Sequence, residues 1–272
     1  MAIKNQTTKS NPGSFKIRKP ISLLGLIKKV IKGIFIKHSD NSFKRVKYLL
    51  ITYLLNYINQ YRFLNKFFCN LCRKKVVMFL HTFNKDRILK NSICIYCNSR
   101  KRHRGLFEQY KIILKGFEDP QILHFAPEPV FYSLFKNYNY TTADLNLSDV
   151  DLNLNIENIE HHSNYFDLIL CNHVLEHVEN DYLALRELYR ILKSEGVLVL
   201  TVPGNWKRDK IIEFSTINSN GHYRDYGLDF IYILQSEFEE VKVVDLYDYN
   251  KNYSLPLGLT KKHDLVFICQ KK

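Results

Sequence analysis

The chain has 272 residues, 46% of them hydrophobic, and a formal net charge of +13. That composition suits one sizeable core with an appendage and excludes a wholly disordered or fibrous chain. The charge is segregated. Residues 1–66 carry fourteen Lys or Arg against Asp40 alone (+13), residues 67–119 twelve against four acids (+8), and residues 120–272 fourteen against twenty-two (−8).

The first twenty residues are polar and lack an apolar core, so no cleavable leader is expected. From 21 to 37, Leu23, Leu24, Ile27, Val30, Ile31, Ile34 and Phe35 recur at helical spacing with Lys28, Lys29 and Lys32 opposite. Such a helix fits an anionic membrane surface, and it equally fits a surface helix packed on its own domain. Residues 48–58 are more apolar, but Arg45, Lys47 and Arg62 bound them. The stretch falls short of the roughly 20 residues a spanning helix needs and reads as a buried or interfacial helix.

Cys69-Asn-Leu-Cys72 and Cys94-Ile-Tyr-Cys97 stand twenty-one residues apart, just beyond the usual four-cysteine zinc spacing. Two tight knuckles can bring four thiolates to one tetrahedral ion, closing its coordination and leaving a structural rather than a catalytic Zn²⁺. Four unliganded thiols or a redox pair are the alternatives, though the βαβ context of a redox motif is missing. Cys171 and Cys269 fall on expected strands. This cysteine usage favours a reducing, cytoplasmic setting, peripheral at a membrane if residues 21–58 bind one.

Next comes Ser99-Arg100-Lys101-Arg102-His103-Arg104, a run able to contact phosphate on nucleic acid or an anionic substrate, or to start a solvated helix. Gln121-Ile-Leu-His-Phe125 reads as a short buried strand ending at Ala126-Pro127-Glu128-Pro129. This turn contains no glycine, although Ala126 is small enough for close approach of a ligand. Residues 138–144 form a second strand ending in Asp144, whose distance from the turn suits a carboxylate that grips ribose hydroxyls. Residues 151–156 alternate like a strand.

The most informative stretch is 164–178, Asn-Tyr-Phe-Asp-Leu-Ile-Leu-Cys-Asn-His-Val-Leu-Glu-His-Val. A run apolar on both faces requires helices on both sides of its sheet, and the polar groups past its end fall where open α/β sheets bind ligands. An amphipathic helix over 180–193, a strand over 197–202 and two terminal strands near 241–247 and 265–269 follow.

The 164–178 stretch closely resembles the pattern after the fourth strand of class I S-adenosylmethionine-dependent methyltransferases of the type-11 kind. Cys-x-x-Cys, then Arg-His-Arg, then Leu-His-Phe-Ala-Pro-Glu is similar to a subgroup with an N-terminal four-cysteine zinc ribbon. The resemblance implies a Rossmann-like seven-stranded methyltransferase sheet that ends in an antiparallel hairpin. The expected organisation is a basic helical, partly disordered arm (1–66), a zinc ribbon held by Cys69, Cys72, Cys94 and Cys97 (67–105) and a methyltransferase domain (106–272). Phe125, Ala126, Glu128, Asp144, Asn155, Ile156, Asn172 and His173 would hold S-adenosylmethionine. Glu128 could accept from its amino group, and Asn155 stands where the family usually places an Asp against the adenine.

In-line methyl transfer draws most of its acceleration from alignment and exclusion of water, and needs a base only when the acceptor must lose a proton. His173, His177 and His222 are the candidates. His222-Tyr-Arg224-Asp-Tyr-Gly227 resembles the family's mouth-covering segment, so His222 and Arg224 are expected at the substrate, and Trp206 with Lys207 and Arg208 begins a loop that could bind an anionic or aromatic acceptor. The expected acceptor is an oxygen or nitrogen of a small molecule or glycan-like compound. RNA is the second choice, and a catalytically inactive cofactor-binding or scaffold protein the third.

Overall fold

The computed structural model describes residues 40–62, 64–84, 87–260 and 265–272. The amphipathic stretch 21–37 lies outside them. Helix α1 (Asp40–Arg62) contains the apolar 48–58 stretch and turns Thr52 and Asn56 inward. The Asn56 amide donates to Met78 O at 3.0 Å and accepts from Val77 N–H at 2.9 Å, which fastens α1 to the segment below it. Leu50, Leu54 and Tyr57 stay exposed on its other side. Among the described residues no helix is long and apolar enough to cross a membrane.

That segment is built of two antiparallel hairpins, β1 (Phe67–Cys69) with β2 (Lys74–Val76), and β3 (Leu80–Asn84) with β4 (Arg87–Ile93). Each hairpin carries or precedes one cysteine knuckle. Helix α2 (Lys101–Ile113) then begins inside the basic run and continues into the core, so no break falls at 105/106. Arg104 is fully buried. Its guanidinium stacks on Phe79 at 3.9 Å and donates to the carbonyls of Asn91, Ser92, Ser99 and Leu257, the last at 2.6 Å.

The remaining elements are β5 (Gln121–Phe125), α3 (Tyr132–Phe135), β6 (Asn139–Asp144), β7 (Leu152–Asn153), β8 (Phe166–Asn172), α4 (Asp181–Ile191), β9 (Leu192–Thr201), β10 (Ile212–Glu213), β11 (Arg224–Asp225), α5 (Phe230–Glu237), β12 (Glu240–Asp245) and β13 (Leu265–Gln270). Seven strands form one sheet in the order β12, β13, β9, β8, β5, β6, β7. All its pairings are parallel except those of β13, which runs antiparallel to both neighbours. The fold is therefore α/β with a mostly parallel seven-stranded sheet, and the two terminal strands pair as the resemblance implied.

The unbroken apolar runs are explained by the pleat, which sends alternate residues to opposite faces. On one face Leu123, Phe125, Ile169, Cys171, Leu198 and Leu200 meet α4 and α5. On the other, Ile122, Leu168, Leu170 and Val199 meet Leu106 and Tyr110 of α2 and Phe131 and Phe135 beside and within α3. Each fully buried Leu or Ile contributes roughly 1.5–3 kcal/mol. Helix α4 starts where Asn180 accepts from Leu183 N–H at 3.1 Å, as a side-chain cap should.

From β5 the chain proceeds to β6 and β7 on one side and afterwards to β8 and β9 on the other. The point of reversal thus lies between β5 and β8. In open α/β sheets the crevice outside the carboxyl ends of the strands at such a point is where ligands bind.

Candidate active site

Register brings the predicted residues to that edge. Phe125 pairs with both Ala143 and Cys171, and Asn172 with Thr201, so the turn after β5, Asp144 and Asn172–His173 are neighbours. Ala126 takes φ = +47° and His173 φ = +54°, left-handed conformations at both strand ends that flank the reversal. Conformations of this kind cost a residue with a Cβ about 1–2 kcal/mol and persist where the surroundings enforce them. Ala126 N–H is held by Ala143 O at 2.8 Å.

Below the turn lies a buried polar network. Asn172, almost fully buried, donates from Nδ2 to the Tyr110 hydroxyl at 2.7 Å and to Glu128 Oε2 at 3.1 Å, and its Oδ1 accepts from the Thr201 hydroxyl at 3.2 Å. The other Glu128 oxygen accepts from Arg102 at 3.1 Å and lies 2.9 Å from His103 Nε2. Because His103 Nδ1 accepts from Arg100 N–H, the neutral ring carries its proton on Nε2, toward the carboxylate. Burial alone would raise the Glu128 pKa, but His103 and Arg102 outweigh it and hold the carboxyl well below its usual range. Burial likewise keeps His103 below its ordinary value, with Glu128 opposing. Glu128 is therefore an ionised anchor whose two oxygens already face the chain's own donors.

Asp144 has one oxygen in use and one in reserve. Oδ1 accepts from Asn146 N–H at 2.8 Å and Leu147 N–H at 3.0 Å, which shapes the loop after β6. Among the described residues Oδ2 has no hydrogen-bond partner. The exposed Asn155 accepts through Oδ1 from Glu157 N–H at 3.0 Å, while Ile156 and Phe125 are buried in the core on the α4 face.

After β8, residues 173–177 form a compact turn. His173 Nδ1 lies 3.2 Å from Glu176 Oε1, and His177 Nδ1 lies 2.9 Å from the Gly221 carbonyl. His222 arrives from the β10–β11 segment, and its ring packs edge-on against His177 at 4.8 Å. Burial lowers the His222 pKa, with Glu176 opposing and His177 and His173 assisting. Arg224 is spent inside the protein: it donates to the carbonyls of Leu175, Val178 and Glu179, and pairs with Glu213 at 2.9 Å. It therefore fixes the 173–179 turn from beneath. Trp206 is buried against Phe267, with an unpartnered indole N–H.

The four knuckle cysteines converge. Their sulfurs lie within 4.8 Å of one another, with Cys69 to Cys97 at 3.6 Å and Cys72 to Cys94 at 3.8 Å. Sulfurs on a tetrahedral ion at about 2.3 Å would stand about 3.8 Å apart, so the donor set fits one metal ion. Hydrogen bonding among the four, Cys72 first, drives the Cys69 thiol well below its usual range, while Cys69 pushes the Cys94 thiol far above its own.

Sequence reading alone does not reveal Tyr110, Thr201 or Arg102 as partners of the crevice floor. They come from three separate elements, and only the buried acid at 128 hints that a cation must meet it.

Residues 135–200, spanning α3 to β9, match the family model described as a methyltransferase domain. An uncharacterised protein of Methanocaldococcus jannaschii is 30% identical over 146 residues, 48% of this chain and 64% of that relative, so this chain spans less than two thirds of its length. Among solved structures, the chain is similar to 1,6-didemethyltoxoflavin-N1-methyltransferase of Burkholderia thailandensis, with 16% identity over 62% of this chain and 78% of that one and a TM-score of 0.44. It is also similar to a SAM-dependent methyltransferase of Archaeoglobus fulgidus, with 17% identity, 62% and 94% coverage and a TM-score of 0.45. At these scores neither likeness bears on the fold, which rests on the strand order.

Proposed function

We propose that the protein is an S-adenosylmethionine-dependent methyltransferase of the type-11-like kind, acting on an oxygen or nitrogen of a small-molecule or glycan-like acceptor. The observation that carries this is Asp144, at the end of β6 with Oδ2 unpartnered, beside the left-handed turn at Ala126 and within the stretch that matches the methyltransferase-domain model. Asp144 would accept from the ribose hydroxyls, Ala126 would allow close approach, and the Glu128–Asn172 network would keep the floor rigid. When bound, the cofactor supplies an electrophilic methyl group. His173 is oriented by Glu176 through Nδ1, leaving Nε2 to take the acceptor's proton, the arrangement of a base held by a carboxylate.

Structural Zn²⁺ at Cys69, Cys72, Cys94 and Cys97 belongs to the same reading, supported by sulfur spacings that suit it. The burial of Arg104 and the pairing of Arg102 with Glu128 remove two cations from the run that would otherwise favour RNA, and His103 is buried beside them. A small acceptor is accordingly preferred.

Calorimetric titration of wild type and Asp144→Ala with S-adenosylmethionine tests the assignment. Loss of charge-assisted hydrogen bonds to ribose should weaken binding by about 1–3 kcal/mol. Equal affinity in the two proteins would overturn the placement, and binding without turnover on any acceptor would favour the scaffold reading.

A further inference from the structure

The turn after β8 contains a second convergence of metal-ligating groups. One ligand atom each from Glu176, His177 and His222 lies within 4.8 Å of the others. Glu176 is 1% exposed, and among the described residues its Oε2 has no hydrogen-bond partner. A buried carboxylate oxygen left bare is costly, and buried charges are normally paired or coordinate metals.

The histidine geometry points the same way. For His177 Nδ1 to contact the Gly221 carbonyl at 2.9 Å it must donate, so Nε2 of the neutral ring keeps its lone pair. That lone pair lies 3.9 Å from Glu176 Oε1, another acceptor. Two such acceptors repel unless a proton or a metal ion lies between them. A ligating histidine whose other nitrogen donates to a backbone carbonyl is the usual supporting arrangement of a metal site.

The platform is prearranged. Gly221 has φ = +81° in the turn that delivers both its own carbonyl to His177 and the neighbouring His222. Tyr223 N–H bonds Glu176 O at 2.8 Å, and Arg224 holds three carbonyls of the same turn. Two chain segments more than forty residues apart are thereby locked together at the three side chains.

We propose that Glu176, His177 and His222 bind a divalent transition-metal ion, separate from the cysteine knuckles, with its remaining coordination positions open to solvent at the mouth of the crevice. Two imidazoles and one carboxylate are a donor set for zinc and its first-row neighbours rather than for magnesium or calcium. Donor atoms on a tetrahedral ion at about 2.0–2.2 Å stand about 3.4 Å apart, so modest side-chain adjustment suffices. His177 is half exposed, which provides the entry path.

The test needs neither cofactor nor acceptor, so its outcome is independent of the methyl-transfer reading. The full chain is stripped of metal with a chelator, titrated with Zn²⁺ and counted by elemental analysis, and Co²⁺ spectra are recorded in parallel. Thiolate-to-cobalt bands report the knuckles alone and show that they remain folded. The double variant His177→Asn/His222→Asn should bind one equivalent fewer than wild type, with any thiolate bands unchanged. Glu176→Gln should lose the same equivalent. Equal stoichiometry in wild type and the double variant would overturn the proposal.

Discussion

Two neighbouring parts of the sheet's carboxyl edge handle polar groups in opposite ways. At the floor between β5 and β8, Glu128 and Asn172 meet Arg102, His103, Tyr110 and Thr201, and the buried acid is ionised because its surroundings demand it. A few residues on, Glu176 is as buried, yet among the described residues its Oε2 has no hydrogen-bond partner, and the neutral His177 ring keeps the lone pair of its Nε2. In the first arrangement both Glu128 oxygens face donors of the chain itself. The second leaves a buried carboxylate oxygen for which the proposed ion would be the partner.

That contrast can be broken in order of expected effect. His124, on β5 beside the floor, is fully buried against Phe131 and Phe135, and burial pushes its pKa down from 6.5 to about 4. A folded-state value below the unfolded one means that the unfolded chain binds the proton first. Its contribution is intact above pH 6.5 and is lost progressively toward pH 4, by about 3 kcal/mol. His124→Leu should flatten that part of the acid limb in denaturant titrations, and an unaltered limb would count against it.

Asn172→Leu should cost about 2 kcal/mol of unfolding free energy, because it strands Glu128 Oε2 and the Tyr110 hydroxyl without a donor. Chemical denaturation measures it, and a neutral result would mean the floor is not a connected unit. Ala126→Gly should raise stability by about 1 kcal/mol in the same assay by relieving the left-handed Cβ. In the metal-free protein, His177→Asn/His222→Asn should change stability by less than about 0.5 kcal/mol. A large loss there would show that the cluster is scaffold after all.

The parts of the fold that could be read from the chain are those written in short windows. The buried runs of β5, β8 and β9, the amphipathic helix over 180–193 and the two cysteine knuckles each depend on residues close in sequence, so periodicity and spacing suffice. The reversal between β5 and β8 depends on strand order, which no window contains. Likewise, Arg102 reads as one cation among several until helix α2 delivers it to Glu128, twenty-six residues away. Trp206 heads a polar loop whose composition gives no sign that the indole turns inward onto Phe267. Ala126 was legible in part: its small size suits the turn, but its positive φ is set by the Ala143 carbonyl across the sheet.

Arg104 gives the molecule a mechanical property. Its single guanidinium ties carbonyls from the β4 hairpin and the second cysteine knuckle to Leu257, which sits on the approach to the last sheet strand. Neither partner can melt without stranding a buried cation, so heat should see one cooperative transition instead of a small module fraying away from a large one. Metal held at the cysteines would then be felt as rigidity at the far end of the sheet.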